Sequence, residues 1–133
     1  SNCTHISVHC NLTKETHHLV NAERIASMPH IGKDGARCGS HIINCARGGI
    51  VDEDAVVAAL KSRVLTSAAL DVFEVEPVDP NHPLLQMEHF HGTPHTGAST
   101  VEAQARVGMD IATNVHAVLS GRSCKFIVKA EHL

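Results

Sequence analysis

Aromatic residues are scarce in this sequence, which has three phenylalanines and neither tyrosine nor tryptophan. Aromatic side chains are the platforms on which proteins stack bases and sugars, so a stacking site of that kind is disfavoured. Basic tracts are missing too, and 11 Lys and Arg residues stand against 14 Asp and Glu residues. This mildly acidic balance disfavours binding to nucleic acids or to anionic membrane surfaces.

The sequence also lacks long apolar runs and paired cysteines. No run approaches a membrane span, and the amino terminus has no charged flank followed by an apolar signal core. The five cysteines are scattered and never spaced C-x-x-C, which disfavours a disulfide framework or a zinc knuckle. With 133 residues, enough for one domain, we expect a soluble, cytoplasmic protein with cysteines as small apolar residues.

Strand-type and helix-type segments alternate along the chain. Strands are predicted at Thr4–Cys10, His41–Ala46, Ser67–Phe73 and His89–His95. Helices are predicted at Asn21–Met28, in "EDAVVAALKS" after the N-cap Asp52, and from a capping box of Ser99 and Glu102 to a left-handed Gly121. This order predicts the α/β class, as a partial Rossmann-like parallel sheet with flanking helices.

Three residues with suitable chemistry follow the predicted strands. Ligands of parallel sheets bind where the strands end, and there the chain carries Arg47, Glu76 and His95. A guanidinium can bind a carboxylate, an imidazole exchanges protons near neutral pH, and a carboxylate fixes the imidazole tautomer. Together they predict the oxidation of a 2-hydroxy acid, with His95 as the acid/base.

Four segments, "INCARGGIVDEDAVVAAL", "AALDVFEVEP", "HPLL" and "TPHTGASTVEAQ", resemble in order and spacing the signature segments of the D-isomer-specific 2-hydroxyacid dehydrogenases. The resemblance runs from "LTKETHHLVNAERI" to the closing "GRSCKFIVKAEHL". It implies NAD as the cofactor and a small 2-hydroxy acid as the substrate. Overall likeness favours the conversion of 3-phosphoglycerate to 3-phosphohydroxypyruvate, in serine biosynthesis, over reactions of glycerate or lactate.

The resemblance also implies roles for single residues. Arg47 would bind the substrate, His95 would act as acid/base, and Glu76 would be its carboxylate partner. Asp71 would hold the nicotinamide end of NAD, unless it only caps the end of its strand, and Glu74 is expected to be a solvated loop carboxylate. The other implied cofactor contacts are Cys10 on the adenosine side, and Cys45, Ala46, Thr96, Gly97 and Ala98 at the nicotinamide end.

The sequence departs from the family pattern at several positions. Asn11 stands where proline is usual, His17 where arginine is common, and Arg63 where a glycine usually closes the helix. Residues 29–40, "PHIGKDGARCGS", are longer than the expected turn. Because this segment enters the amino end of a strand, we expect it to affect stability more than chemistry.

The glycine-rich turn that receives a pyrophosphate is not found in the sequence. We therefore expect residues 1–133 to form the carboxyl half of a dinucleotide-binding domain plus an exit segment, without the glycine-rich first half or a substrate domain, and to be inactive alone. The sheet edge and faces left bare favour a homo-oligomer, with strand swapping as one form of it. The alternative is a non-catalytic interaction module or an inert fragment that retains the fold.

Metal binding through the histidines is disfavoured by geometry. In a strand, His5 and His9 would lie about 13 Å apart, too far for one ion. The adjacent side chains of His17 and His18 are expected to diverge.

Overall fold

The computed structural model describes residues 2–124 and 126–127, which form two compact units divided after Thr96. The first unit contains, in chain order, β1 (His5–Val8), α1 (Ala22–Ala26), β2 (His41–Asn44), α2 (Glu53–Lys61), β3 (Ser67–Leu70), a 3-10 helix (Pro83–Gln86) and β4 (Phe90–Gly92). The second unit contains α3 (Val101–Leu119). None of the helices formed by the described residues has the length and hydropathy that a membrane crossing requires.

The four strands form one parallel sheet in the order β1-β2-β3-β4. The predicted α/β class is confirmed. Parallel neighbours place the carboxyl ends of all four strands at the same edge. The strands are shorter than predicted: β3 ends at Leu70, because the amide of Phe73 bonds to Glu76 rather than to a neighbouring strand.

The core of the first unit lies on one face of the sheet. Val8, Ile42 and Leu70 are buried, whereas their strand neighbours Ser7 and Ile43 are exposed. In α2 the residues with buried side chains recur at helical spacing and include Val56, Ala59 and Leu60. Full burial of a large aliphatic side chain contributes about 1.5–3 kcal/mol to the stability of the fold. The packing of α2 on the buried face of the sheet therefore anchors the loops at the sheet edge.

The helix ends show which capping predictions hold. Asp52 caps α2 as predicted, with Oδ1 accepting from the Ala55 amide at 3.0 Å. The capping box predicted at Ser99 is wrong, because Thr100 is the N-cap of α3 and accepts from the Ala103 amide at 3.1 Å. The helix thus begins one residue later than the box requires.

The end of α3 agrees with the sequence. Gly121 has a φ of 69°, in the left-handed region, and its amide bonds to the carbonyl of Val118. The amide of Arg122 bonds to the carbonyl of Ala117, which completes the two-bond pattern of a glycine-ended helix.

Two departures from the family pattern have visible structural forms. Arg63 has a φ of 60°, in the left-handed region. Glycine adopts this conformation at a conformational cost about 1 kcal/mol lower than a residue with a side chain. Within residues 29–40 the chain forms a small hairpin, in which Ile31 pairs with Arg37 and Gly35 turns at a φ of 82°. This hairpin precedes β2 at the amino edge of the sheet.

Candidate active site

The loop after β2 is shaped by Asn44 and Gly48. The buried Asn44 side chain accepts from the Ala46 amide at 3.0 Å and donates to the Arg47 carbonyl at 3.0 Å. A Cβ at Gly48 would lie 1.8 Å from the carbonyl oxygen of Phe73, so only glycine fits. This close approach packs the loop that carries Arg47 against the loop that follows β3.

His95 and Glu76 form a hydrogen-bonded pair. Nδ1 of His95 lies 2.8 Å from Oε2 of Glu76, and the Phe73 amide donates to Oε1 of Glu76 at 3.0 Å. The hydrogen bonds from His95 and then from Phe73 hold the pKa of Glu76 below its usual value, although burial and the charge of Asp71 oppose this. The carboxylate places the imidazole proton on Nδ1 and leaves Nε2 to exchange a proton with a ligand.

Asp71 organises the turn that presents His95. Its buried Oδ1 accepts from the amide of Thr96 at 2.8 Å and from the hydroxyls of Thr93 and Thr96. His95 itself has a φ of 53°, which costs a non-glycine residue about 1 kcal/mol or more. The hydrogen bonds to Asp71 on both sides of His95 hold this conformation in place.

Arg47, Glu76 and His95 line one pocket of about 260 Å³. Arg47 is exposed, and its Nη1 donates to the Ala46 carbonyl at 2.6 Å. A second pocket, of about 310 Å³, is lined by Glu76 and His95 together with apolar residues, among them Phe73 and Pro94. The imidazole–carboxylate pair therefore borders a pocket that contains a cation and a pocket that is mostly apolar.

The predicted cofactor residues occupy varied positions. Cys45 is exposed and Ala46 partly buried just after β2, while Cys10 is partly buried against the core beyond β1. Thr96 is exposed at the turn organised by Asp71. Gly97 and Ala98 belong to the second unit.

Two expectations are corrected here. Glu74 is more than a solvated carboxylate, because its Oε1 accepts from Nε2 of His18 at 3.0 Å and from the Glu53 amide at 3.4 Å. The rings of His17 and His18 stack with centroids 4.0 Å apart, so these side chains do not diverge. No group of three or more His, Cys, Asp or Glu residues within the described part of the chain could hold a metal ion.

A larger pocket of about 460 Å³ lies on the other side of Glu74. The acids and histidines that line it are His18, Asp52, Glu53, Asp54, Glu74, Asp79 and His82. Neither Arg nor Lys lines this pocket, so an anionic ligand fits the smaller pocket beside Arg47 better. Sequence reasoning missed Glu53, because an acid in the first turn of a helix is explained by the helix dipole alone.

The sequence model of the D-isomer specific 2-hydroxyacid dehydrogenase family, NAD binding domain, matches residues 1–97. A glyoxylate reductase of Thermofilum pendens is 42% identical over 128 residues, covering 96% of this chain and 35% of the relative. A D-3-phosphoglycerate dehydrogenase of Methanocaldococcus jannaschii is 41% identical over 128 residues, covering 96% of this chain and 23% of the relative. The chain thus spans only 35% and 23% of the lengths of these two relatives.

Solved structures agree with the sequence matches. A D-isomer specific 2-hydroxyacid dehydrogenase from Xanthobacter autotrophicus Py2, in complex with NADPH and MES, superposes with a TM-score of 0.74 at 36% identity. The match covers 95% of this chain and 48% of that one. The strand order and the loops at the sheet edge therefore belong to a fold that is already known from solved structures.

Proposed function

The chain belongs to the D-isomer-specific 2-hydroxyacid dehydrogenase family through the NAD-binding domain of that family, and on this premise we propose that it carries the catalytic residues of an NAD-dependent dehydrogenase of D-2-hydroxy acids. The observation that carries the proposal is the common pocket of Arg47, Glu76 and His95. Residues 1–133 would supply the carboxyl half of the dinucleotide-binding domain and its exit segment. We expect this half to be inactive by itself.

The substrate roles follow from the chemistry of the three side chains. Arg47 would bind the substrate carboxylate and polarise the carbonyl group as it forms, because a guanidinium offers several donors to one anion. His95 would take the hydroxyl proton on Nε2, since Nδ1 is engaged by Glu76. Glu76 would stabilise the imidazolium produced in that step.

The residues near the strand ends fit a nicotinamide. NAD, when bound, accepts the hydride that leaves C2 of the substrate. Cys45, Ala46 and Thr96 have small side chains that permit a planar ring to approach the backbone, and Asp71 supplies a buried carboxylate beneath the same edge. Cys10 would contact the adenosine side.

We prefer 3-phosphoglycerate as the substrate, with oxidation to 3-phosphohydroxypyruvate in serine biosynthesis. Overall likeness supports this choice, since several similar relatives bear the name D-3-phosphoglycerate dehydrogenase. A glyoxylate reductase is as similar, so the competing substrates are glyoxylate and hydroxypyruvate, the latter from a relative in Thermotoga maritima. We further propose a cytoplasmic homo-oligomer, in which a second chain covers the exposed sheet face.

Cofactor binding can be tested on this chain by calorimetric titration with NADH. Micromolar binding that weakens about tenfold or more in Asp71→Ala, which loses a buried carboxylate, supports the cofactor site. A titration without heat, repeated at two temperatures, would instead support a non-catalytic interaction module or an inert fragment with the family fold.

Catalysis can be tested by a chimera, in which this chain replaces the matching segment of the Thermofilum pendens glyoxylate reductase. NADH oxidation with glyoxylate, hydroxypyruvate and 3-phosphohydroxypyruvate would rank the substrates. A folded chimera that binds NADH yet remains inactive with all three would contradict the proposal.

A further inference from the structure

We propose that Glu53 and Glu74 are positioning residues that hold the loop from Phe73 to Glu76 and thereby direct Glu76 toward His95. The inference rests on the proposed function for its catalytic consequence, while its geometry stands on the hydrogen bonds alone. The two glutamates and their mutual hydrogen bonds are named here the Glu53–Glu74 clamp.

The clamp consists of two reciprocal hydrogen bonds. The amide of Glu74 donates to Oε1 of Glu53 at 2.6 Å, and the amide of Glu53 donates to Oε1 of Glu74 at 3.4 Å. Glu53 is the first residue of α2, where backbone amides have no partner within the helix. The clamp therefore ties the buried start of α2 to the loop after β3, across 21 residues of sequence.

The preceding amide of this loop, that of Phe73, holds the Glu76 carboxylate. Phe73 donates to Oε1 of Glu76 at 3.0 Å, and Oε2 of Glu76 contacts Nδ1 of His95 at 2.8 Å. Peptide planes are rigid, so the Glu74 amide can turn only through dihedral changes at Phe73 and Glu74. Such changes would move the chain that follows, including Glu76, relative to the Phe73 amide that orients the Glu76 carboxylate. The clamp thus fixes the loop one peptide away from the contact on which His95 depends.

Each glutamate of the clamp also contacts the imidazole ring of a histidine. His82 accepts from the Leu84 amide on Nδ1 at 3.3 Å, so its proton lies on Nε2, which is 3.1 Å from Oε2 of Glu53. His18 donates from Nε2 to Oε1 of Glu74 at 3.0 Å. Burial raises the pKa of Glu53, and the Glu74 amide and His82 oppose this rise. These donors restrict the rotation of both carboxylates. A solvated carboxylate has no such fixed donors.

Two substitutions separate the length of Glu53 from its charge. Glu53→Asp keeps the charge but draws the carboxylate back by one methylene, so it loses the Glu74 amide. Glu53→Gln keeps the length and an acceptor oxygen but loses the charge. We expect the pKa of Glu76, followed by carbon NMR of the side-chain carboxyls and assigned with Glu76→Gln, to rise toward its usual value in Glu53→Asp. It should stay near the wild-type value in Glu53→Gln.

The exposed Asp54, one residue further along α2, gives the matched control. Asp54→Ala should leave the pKa of Glu76 unchanged. The reverse pattern, in which Glu53→Gln shifts the pKa of Glu76 and Glu53→Asp does not, would assign the effect to charge and overturn the proposal. A pKa of Glu76 that is unchanged in both variants would overturn it as well.

Hydrogen exchange keeps the proposal testable if a variant fails to fold. In the wild-type chain the amides of Phe73 and Glu74 should exchange at least about tenfold more slowly than the amide of Val75, which has an exposed side chain in the same loop. Equal rates at the three amides would contradict the clamp. Both measurements need neither cofactor nor substrate, so a failed clamp and a failed dehydrogenase assignment are told apart.

Discussion

Glu74 and Glu76 lie two residues apart on one loop, and each carboxylate contacts a histidine, His18 at 3.0 Å and His95 at 2.8 Å. Their surroundings differ. The pocket beside Glu76 contains Arg47, whereas the pocket on the other side of Glu74 is lined by further acids. A carboxylate–imidazole pair is thus not a catalytic site by itself. Since the proposed substrate is an anion, the guanidinium decides which pair can act on it.

The histidines of both pairs have left-handed backbone angles, with a φ of 53° at His95 and 49° at His18, so backbone strain does not distinguish the pairs. Their support does differ: hydrogen bonds to Asp71 hold the turn at His95, whereas Glu74 is anchored to the first turn of α2. The guanidinium of Arg47 is therefore the feature on which we assign the proposed chemistry to the Glu76 side of the loop and support to the Glu74 side.

The largest expected effect separates the two histidines. In the chimera with the Thermofilum pendens enzyme, His95→Ala should lower kcat by about 10²–10⁴-fold, because it removes the proposed general acid/base. His18→Ala should stay within about tenfold, since His18 only supports the loop. The value of kcat is measured from NADH absorbance. Equal losses of kcat in the two variants would contradict the proposed distinction between the two histidines.

The next effect concerns the cation. Arg47→Ala should raise KM for the 2-oxo acid by about 10- to 100-fold, because a charged hydrogen bond to the substrate carboxylate is lost. Lys61→Ala, which removes an exposed cation in the last turn of α2, is the control and should leave KM unchanged. A normal KM in Arg47→Ala would place the substrate carboxylate elsewhere.

A stability comparison tests the turn at His95. Asp71→Ala should lower the free energy of unfolding by about 2 kcal/mol, because a buried acceptor of several donors is removed. Asp52→Ala should cost about 1 kcal/mol, the usual value for an N-cap. Urea unfolding of this chain measures both values. A smaller loss at Asp71 than at Asp52 would show that the turn is held by other contacts.

The smallest effects are in pH dependence, where the two sides of the loop should have opposite signs. The lowered pKa of Glu76 stabilises the folded chain above the usual glutamate pKa of about 4.3, and this stabilisation is lost as pH falls through the lowered value. The raised pKa of Glu53 means that its ionisation costs stability as pH rises from the usual value through the raised one.

Relative to wild type, Glu76→Gln should therefore gain stability as pH falls below about 4.3, and Glu53→Gln should gain it as pH rises above that value. The change at Glu76 should remain below about 1 kcal/mol, because its side chain is 37% exposed. Urea titrations between acidic and neutral pH measure both trends. The same sign in both variants would contradict the comparison.

Local sequence signals predicted the sheet and the positions of Arg47, Glu76 and His95 after its strands, because strand alternation and helix caps act over a few residues. They failed where neighbouring residues offer the same signal or where the partners are distant in sequence. Thr100 rather than Ser99 caps α3, and the sequence could not separate them because either hydroxyl could serve as the cap. The clamp was not predictable, because Glu53 and Glu74 are distant in sequence and each acid alone resembles a solvated surface residue.

The central claim is tested most directly by a crystal structure of the chimera with D-glycerate and NADH. We expect the glycerate carboxylate to contact the guanidinium of Arg47, and its 2-hydroxyl to lie within hydrogen-bond distance of Nε2 of His95, with Glu76 still on Nδ1. Glycerate bound in the acid-lined pocket instead, or Arg47 directed away from His95 in the complex, would contradict the account.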